Sequence, residues 1–170
     1  MTATPEPHPR HNPTAEAFRL AMRCFADSVC VVSTLDGEGG WHGLTASSVT
    51  SVSMRPPAVL VSINRDTRTH AAITQSGTFA ANLLMVGQHS FSNTFAGVPE
   101  SPDRFSEGTW AASDVTGLPI LSEALAVIEA KVVAAHDFAS HTLFIGEVQA
   151  AHARESGSPL IYHQGDYHGL

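Results

Sequence analysis

The sequence predicts a mainly β domain with short helices, arranged as a barrel. Three observations carry this. Apolar, β-branched runs of strand length recur from residue 29 to the C-terminus, and the helical patterns between them are few and short. No GxGxxG follows a first strand, as a Rossmann unit would need.

The elements follow in order. Asn12 caps a helix whose first position suits Pro13, and Glu16 sits in its first turn. Phe18, Met22 and Phe25 recur at the spacing of a buried stripe, and the helix should end near Asp27. Residues 29–35 read as a buried strand, and the Gly-rich residues 36–40 turn the chain into a partner strand over 41–49. Pro56 and Pro57 break the pattern before a second buried strand at 58–63. Residues 64–67 form a turn, Thr67 caps a short helix over 69–76, and Gly77 ends it. A strand over 79–84 and a helix over 88–96 precede a long Pro- and Gly-bearing loop at 97–117. Loops of about twenty residues are uncommon in compact domains unless they serve a site or a partner, and this one carries Pro102, Phe105 and Trp110. Residues 124–136 and 142–152 make a long hairpin, and residues 160–162 with Tyr167 close the sheet.

Composition narrows the function classes. A chain of 170 residues, 43% hydrophobic, suits one compact domain, here residues 12–170, with residues 1–11 as a disordered Pro- and His-rich tail. A net charge of -7 with Lys131 as its one lysine argues against nucleic acid or an anionic membrane as partner. No apolar run approaches the roughly 20 residues of a membrane span, and the N-terminus lacks the pattern of a signal peptide, so a cytoplasmic protein is expected. Cys24 and Cys30 read as small core residues. The ten histidines are scattered without tight ligand spacing, and no metal is expected.

Thr45, Ser47, Ser48, Thr50, Ser51, Ser53 and Ser62 crowd residues 43–64 with hydroxyls. Small hydroxylated side chains leave backbone open to a flat ligand and offer donors to carbonyl and phosphate oxygens, as a cofactor with a ring and a phosphate requires; a solvated strand face would read similarly. The helix N-terminus near Thr67 points amides outward, and Arg65 and Arg68 flank it, so dipole, hydroxyls and guanidinium can converge on an anion.

These residues carry a resemblance. The ordered series TASSVTSVSMRPPAVLVSIN, NRDTRTH, SGTFAANLL, FAG, DRF, GLPIL, SHTLFIGEV and PLIYHQGDY resembles the short-chain flavin reductases, and most of all the reductase components of two-component flavin-dependent monooxygenases. The resemblance runs from about Phe18 to the C-terminus. It implies an FMN-binding split β-barrel, a homodimer with flavin at its interface, FMN or FAD as the flavin, NADH or NADPH as hydride donor, and delivery of reduced flavin to a partner monooxygenase. Carried over by position, it sets the isoalloxazine against Thr45, Ala46, Ser47 and Ser48, and the ribityl chain and phosphate against Ser62, Asn64, Arg65 and Thr69. His141 matches the histidine near the nicotinamide, with Gly165 and Tyr167 in the C-terminal motif beside it.

Two departures stand out. Ser140 precedes His141 where an acidic residue is frequent, and the chain ends at Leu170, without the C-terminal lid expected from longer relatives. Hydride transfer asks a protein to stack two rings and exclude water, which agrees with the lack of a nucleophile triad or paired carboxylates. The same barrel could instead carry flavin without turnover, or act as an oxidase of the pyridoxamine-phosphate type.

Overall fold

A computed structural model describes residues 12–97 and 103–170, so the expected N-terminal tail and Pro102 lie outside the described residues. In chain order the elements are α1 (Pro13–Met22), β1 (Asp27–Ser28), β2 (Cys30–Leu35), β3 (Trp41–Ala46), β4 (Val49–Met54), β5 (Pro57–Asn64), α2 (Arg68–Ser76), β6 (Thr78–Leu83), α3 (His89–Ala96), β7 (Trp110–Ala112), β8 (Pro119–Leu121), β9 (Ala126–Phe138), β10 (His141–Ala153), β11 (Leu160–His163) and β12 (Asp166–Gly169).

Seven strands form one antiparallel sheet in the order β3-β2-β6-β9-β10-β5-β4. Its two edge strands, β3 and β4, are consecutive in the chain and joined through Ser47 and Ser48 alone. A flat sheet would hold those edges roughly 29 Å apart, six steps of about 4.8 Å. The link spans at most about 11 Å, so the sheet must curl to bring its edges together. The curl stops short of closure: β3 and β4 do not pair with each other, and the described strands make an open sheet rather than a closed barrel.

Curling gives the sheet two buried faces. Val32, Val61, Ile63, Phe79 and Phe144 pack inside the curl with Ile73 of α2. Val31, Ala80, Val127 and Leu84 face outward and are covered by Phe95 of α3 with Leu118, Leu121 and Leu160. Neighbours such as Val31 and Val32 therefore point to opposite faces yet are both buried, which is why β2 reads as a continuous apolar run rather than an alternating one. Gly146 of β10 allows the closest approach inside the curl, for a Cβ there would lie 2.7 Å from Ala130 Cβ and 2.8 Å from the Phe79 ring.

Several expectations need correction. Helix α1 starts as read, with the Asn12 side chain accepting from the amides of Thr14 and Ala15, but it ends at Met22. Its stripe is not buried: Phe18, Met22 and Phe25 remain 65%, 42% and 59% exposed. Periodicity reports that a face is apolar, not what covers it. Cys24 lies past the helix and is exposed, whereas Cys30 is buried as expected. The C-terminal strands do not close the main sheet; β11 and β12 join β1 in a separate three-stranded sheet. Strand β2 already pairs with β3 on one edge and β6 on the other, so β11 cannot join it and pairs with β1, on the other side of Val29. The long loop contains β7, which pairs with β8. Its Phe105 and Trp110 pack on the chain's own core rather than standing out as interface anchors.

Candidate functional site

An open pocket of about 1220 Å³ lies where the curled sheet fails to close, between β3, the end of β5, the start of α2 and the segment following α3. Of the residues expected at a site, it is lined by Thr45, Ala46, Ser48, Ser62, Asn64, Thr69 and His141. Elements distant in sequence thus converge on one cavity. Ser47, Arg65, Gly165 and Tyr167 are not in its lining.

The α2 end gathers groups that could hold an anion. The Asn64 carbonyl accepts from the Thr67 hydroxyl at 2.8 Å, and Thr67 Oγ1 in turn accepts from the His70 amide at 3.1 Å, so Thr67 caps the helix as its sequence position predicts. Asn64 Oδ1 accepts from the Asp66 amide at 3.0 Å and holds the turn. The first amides of α2, at Arg68 and Thr69, then have no intrahelical partner and stand beside two hydroxyls and the Arg68 side chain in the pocket wall. Gly77 ends the helix at a φ of 67°, a left-handed conformation that glycine adopts without strain.

The floor and rim have other ties. Ser48 Oγ donates to the Ser62 carbonyl at 2.9 Å and bridges the link between β3 and β4 to β5. Thr45 Oγ1 donates to the Ser92 carbonyl at 2.6 Å, fixing β3 to α3. Of the hydroxyl-rich stretch, Thr50, Ser51 and Ser53 fall elsewhere, along a largely apolar groove of about 360 Å³. The stretch is therefore divided at the Ser47–Ser48 link between two surfaces.

The far wall consists of Trp41, His42, Phe95, Arg104 and Phe105; the sequence pointed to the loop that carries Arg104 and Phe105 but missed Trp41, His42 and Phe95 as site elements. Phe105 stacks edge-on against Trp41, Phe95 and Trp110 with ring centroids 5.4, 5.0 and 4.9 Å apart. Arg104 Nη1 reaches the carbonyls of Phe95 and Gly43 at 3.3 and 3.4 Å. His42 Nε2 lies 2.9 Å from Asp36 Oδ2. That hydrogen bond, followed by the amides of Gly40 and Glu38, holds the Asp36 carboxyl below its ordinary range. The aromatic content of the loop was the available signal, but it does not reveal which chain the rings pack against.

Gly165 and Tyr167 are placed by the smaller sheet. Gln164 and Gly165 form its two-residue turn with φ of 54° and 93°, and a Cβ on Gly165 would lie 2.2 Å from the Arg23 guanidinium. Tyr167 donates to Asn93 Oδ1 at 3.1 Å and pairs with the Ser92 hydroxyl at 2.8 Å, so it reaches the pocket only through the residue that anchors Thr45. Among the described residues no group of three or more His, Cys, Asp or Glu could hold a metal, and no helix is long and apolar enough to cross a membrane.

A curled antiparallel sheet thus gathers hydroxyls, helix amides and an aromatic wall along its open seam. Residues 22–170 match the flavin reductase like domain, and the chain belongs to that family. It is 38% identical over 156 residues to the FMN reductase (NADH) RutF 1 of Methylorubrum extorquens, covering 92% of this chain and 77% of that protein. The reductase component of the FADH(2)-dependent resorcinol hydroxylase of a Rhizobium species is 37% identical over 151 residues, 88% of this chain and 84% of that protein. Among solved structures, the styrene monooxygenase flavin reductase of Pseudomonas putida S12 superposes with a TM-score of 0.80 at 36% identity, over 90% of this chain and 96% of that one.

Proposed function

We propose that the protein is an NADH-dependent flavin reductase that supplies reduced flavin to a partner monooxygenase. The observation that carries this is family membership over residues 22–170, together with a pocket whose donors suit a flavin. In a chain of net charge -7, the pocket brings Arg68 into its wall with the α2 amides, an arrangement that suits a phosphate, while Arg104 stands on the far wall; the pocket's hydroxyls suit ribityl and ring oxygens. When both ligands are bound, NADH supplies a hydride to the oxidised flavin, which with one proton yields NAD⁺ and reduced flavin.

The chain's own residues bind and orient. Thr45, Ala46, Ser47 and Ser48 are assigned to the isoalloxazine side; the Thr45 and Ser48 hydroxyls already donate to the carbonyls of Ser92 and Ser62, so backbone amides are the donors that favour the charge that grows on a ring receiving electrons. Ser62, Asn64 and Thr69 serve the ribityl and phosphate end with Arg68 at the wall, and Arg65, outside the lining, pairs with Asp137. His141 serves the nicotinamide side; Tyr167 supports the Thr45 side of the pocket through Ser92, and Gly165 shapes the turn that presents Tyr167. Trp41 and Phe105 exclude water at the far end.

The same proposal includes a split β-barrel, a C2 homodimer and a cytoplasmic location. The curled but open sheet supports the first, and the exposed stripe of α1 supports the second. FMN is preferred over FAD, and NADH over NADPH, by the names of the RutF relatives.

Mixing the purified protein with NADH and excess flavin tests the reading. A reductase oxidises NADH in proportion to added flavin over many turnovers, whereas a carrier stops after one equivalent. Repeating the assay with FMN, FAD, NADH and NADPH in each combination fixes the preferred pair.

A further inference from the structure

The tip of the β9–β10 hairpin carries His141 to the pocket, yet the His141 side chain itself is exposed and bonds only to Ser140, whose hydroxyl lies 2.9 Å from Nδ1. A residue so loosely held is placed by its backbone. Four ties from β5, the turn after it and α2 fix that backbone. The Arg65 amide donates to the Ser140 carbonyl at 2.9 Å, and Asn64 pairs with His141 across β5 and β10. Arg65 Nη2 stands 3.7 Å from Asp137 Oδ2 on the other side of the turn.

The fourth tie is the most constrained. Thr142, 2% exposed, donates from Oγ1 to Asp137 Oδ1 at 2.6 Å, which closes the hairpin tip around residues 138–141. The same oxygen lies 2.8 Å from His70 Nε2 in α2. That Thr142 hydrogen bond, helped by the charges of Arg65 and His70, lowers the Asp137 pKa, so its carboxylate accepts and the hydroxyl must donate to it. Nε2 of His70 must then carry the proton and donate to Thr142. His70 is held in turn against the Phe144 ring, with centroids 5.3 Å apart.

We infer that Thr142 is a positioning residue: by joining His70 of α2 to Asp137 of the hairpin, it holds His141 in register with the anion end of the pocket. The inference rests on the reading of His141 as the nicotinamide-side residue. It says further that Thr142 and Asp137 govern nucleotide affinity without touching the nucleotide.

The test uses Thr142→Val, which keeps the shape and removes the hydroxyl, and Thr142→Ser, which keeps the hydroxyl. Thr142→Val should raise the KM for NADH roughly fivefold to tenfold while kcat stays within about twofold, and Thr142→Ser should restore the wild-type KM. In a His141→Ala background, Thr142→Val should add nothing, because its effect passes through His141. Melting temperatures are measured alongside, since a purely structural threonine would lower stability and leave KM unchanged. A tenfold KM increase in His141→Ala beside a wild-type KM in folded Thr142→Val overturns the positioning role alone. A wild-type KM in His141→Ala overturns both it and the nicotinamide assignment. Additive effects in the double variant also overturn the inference.

Discussion

Arg65 Nη2 lies 3.7 Å from Asp137 Oδ2, so the arginine expected at the phosphate is already engaged with the β9–β10 hairpin. Both side chains are about half exposed, and a pair of that kind contributes about 0–1 kcal/mol. Arg68, three residues on, lines the pocket instead.

The two arginines should therefore differ. Arg68→Ala is expected to weaken FMN binding by about 1.5–3 kcal/mol, the scale of a hydrogen bond to a charged group. Riboflavin, which lacks the phosphate, should bind nearly as well as to wild type. Arg65→Ala should cost less than about 1 kcal/mol for either ligand. Flavin titrations on both variants decide it: a larger loss of FMN in Arg65→Ala would return the phosphate to Arg65, and equal losses of FMN and riboflavin would mean that Arg68 acts through the ring or the fold.

The Asp36–His42 contact predicts a pH dependence. Asp36 has its pKa lowered from an ordinary 3.8, chiefly by the hydrogen bond to His42 and then by the amides of Gly40 and Glu38. A carboxyl whose folded pKa is depressed contributes stability above its unfolded value, and that contribution disappears as pH falls through the folded value. Asp36→Asn should melt at a lower temperature than wild type at pH 7, and the two curves should converge below the carboxylate range. Thermal melts of both proteins across that interval check this, and a difference that persists unchanged into acid would point to another origin.

The two thiols should react very differently. Burial pushes the Cys30 thiol up to about 12, while Cys24 is exposed. At pH 8 an alkylating reagent should modify Cys24 promptly and reach Cys30 only after unfolding. Intact-mass and peptide analysis with and without denaturant reads both sites, and equal labelling of the native protein would contradict the burial of β2.

Association is the fourth expectation. Phe18 and Met22 expose an apolar stripe on a helix with no buried residue of its own, Phe25 just beyond it is exposed too, and Met54 of β4 is 80% exposed. The protein should scatter light as a dimer at micromolar concentration, and Phe18→Ser with Met22→Ser should shift it toward monomer. A fully active wild-type monomer under those conditions would overturn the dimer.

Much of the local structure was legible in the chain. Thr67 and Gly77 bound α2 as their residue types require, and Asn12 caps α1. The long hairpin of β9 and β10 falls where its two apolar runs predict. Hydroxyl density drew attention to residues 43–64, and Thr45, Ser48 and Ser62 of that stretch line the pocket. Caps, turns and strand periodicity are written in a few neighbouring residues, so the sequence alone determined them.

What only the tertiary structure decided is where those elements face. Tyr167 bonds to Ser92 across 75 positions, and Ser92 holds Thr45 across 47 more. Thr50, Ser51 and Ser53 left the site because the chain crosses from one sheet edge to the other at Ser47 and Ser48. The α1 stripe stayed exposed, and β11 joined β1 rather than the main sheet, because apolar faces and strand edges are satisfied by whichever partner the folded topology leaves free. A side chain's own pattern states its need for a partner; the partner is set by contacts that no local window contains.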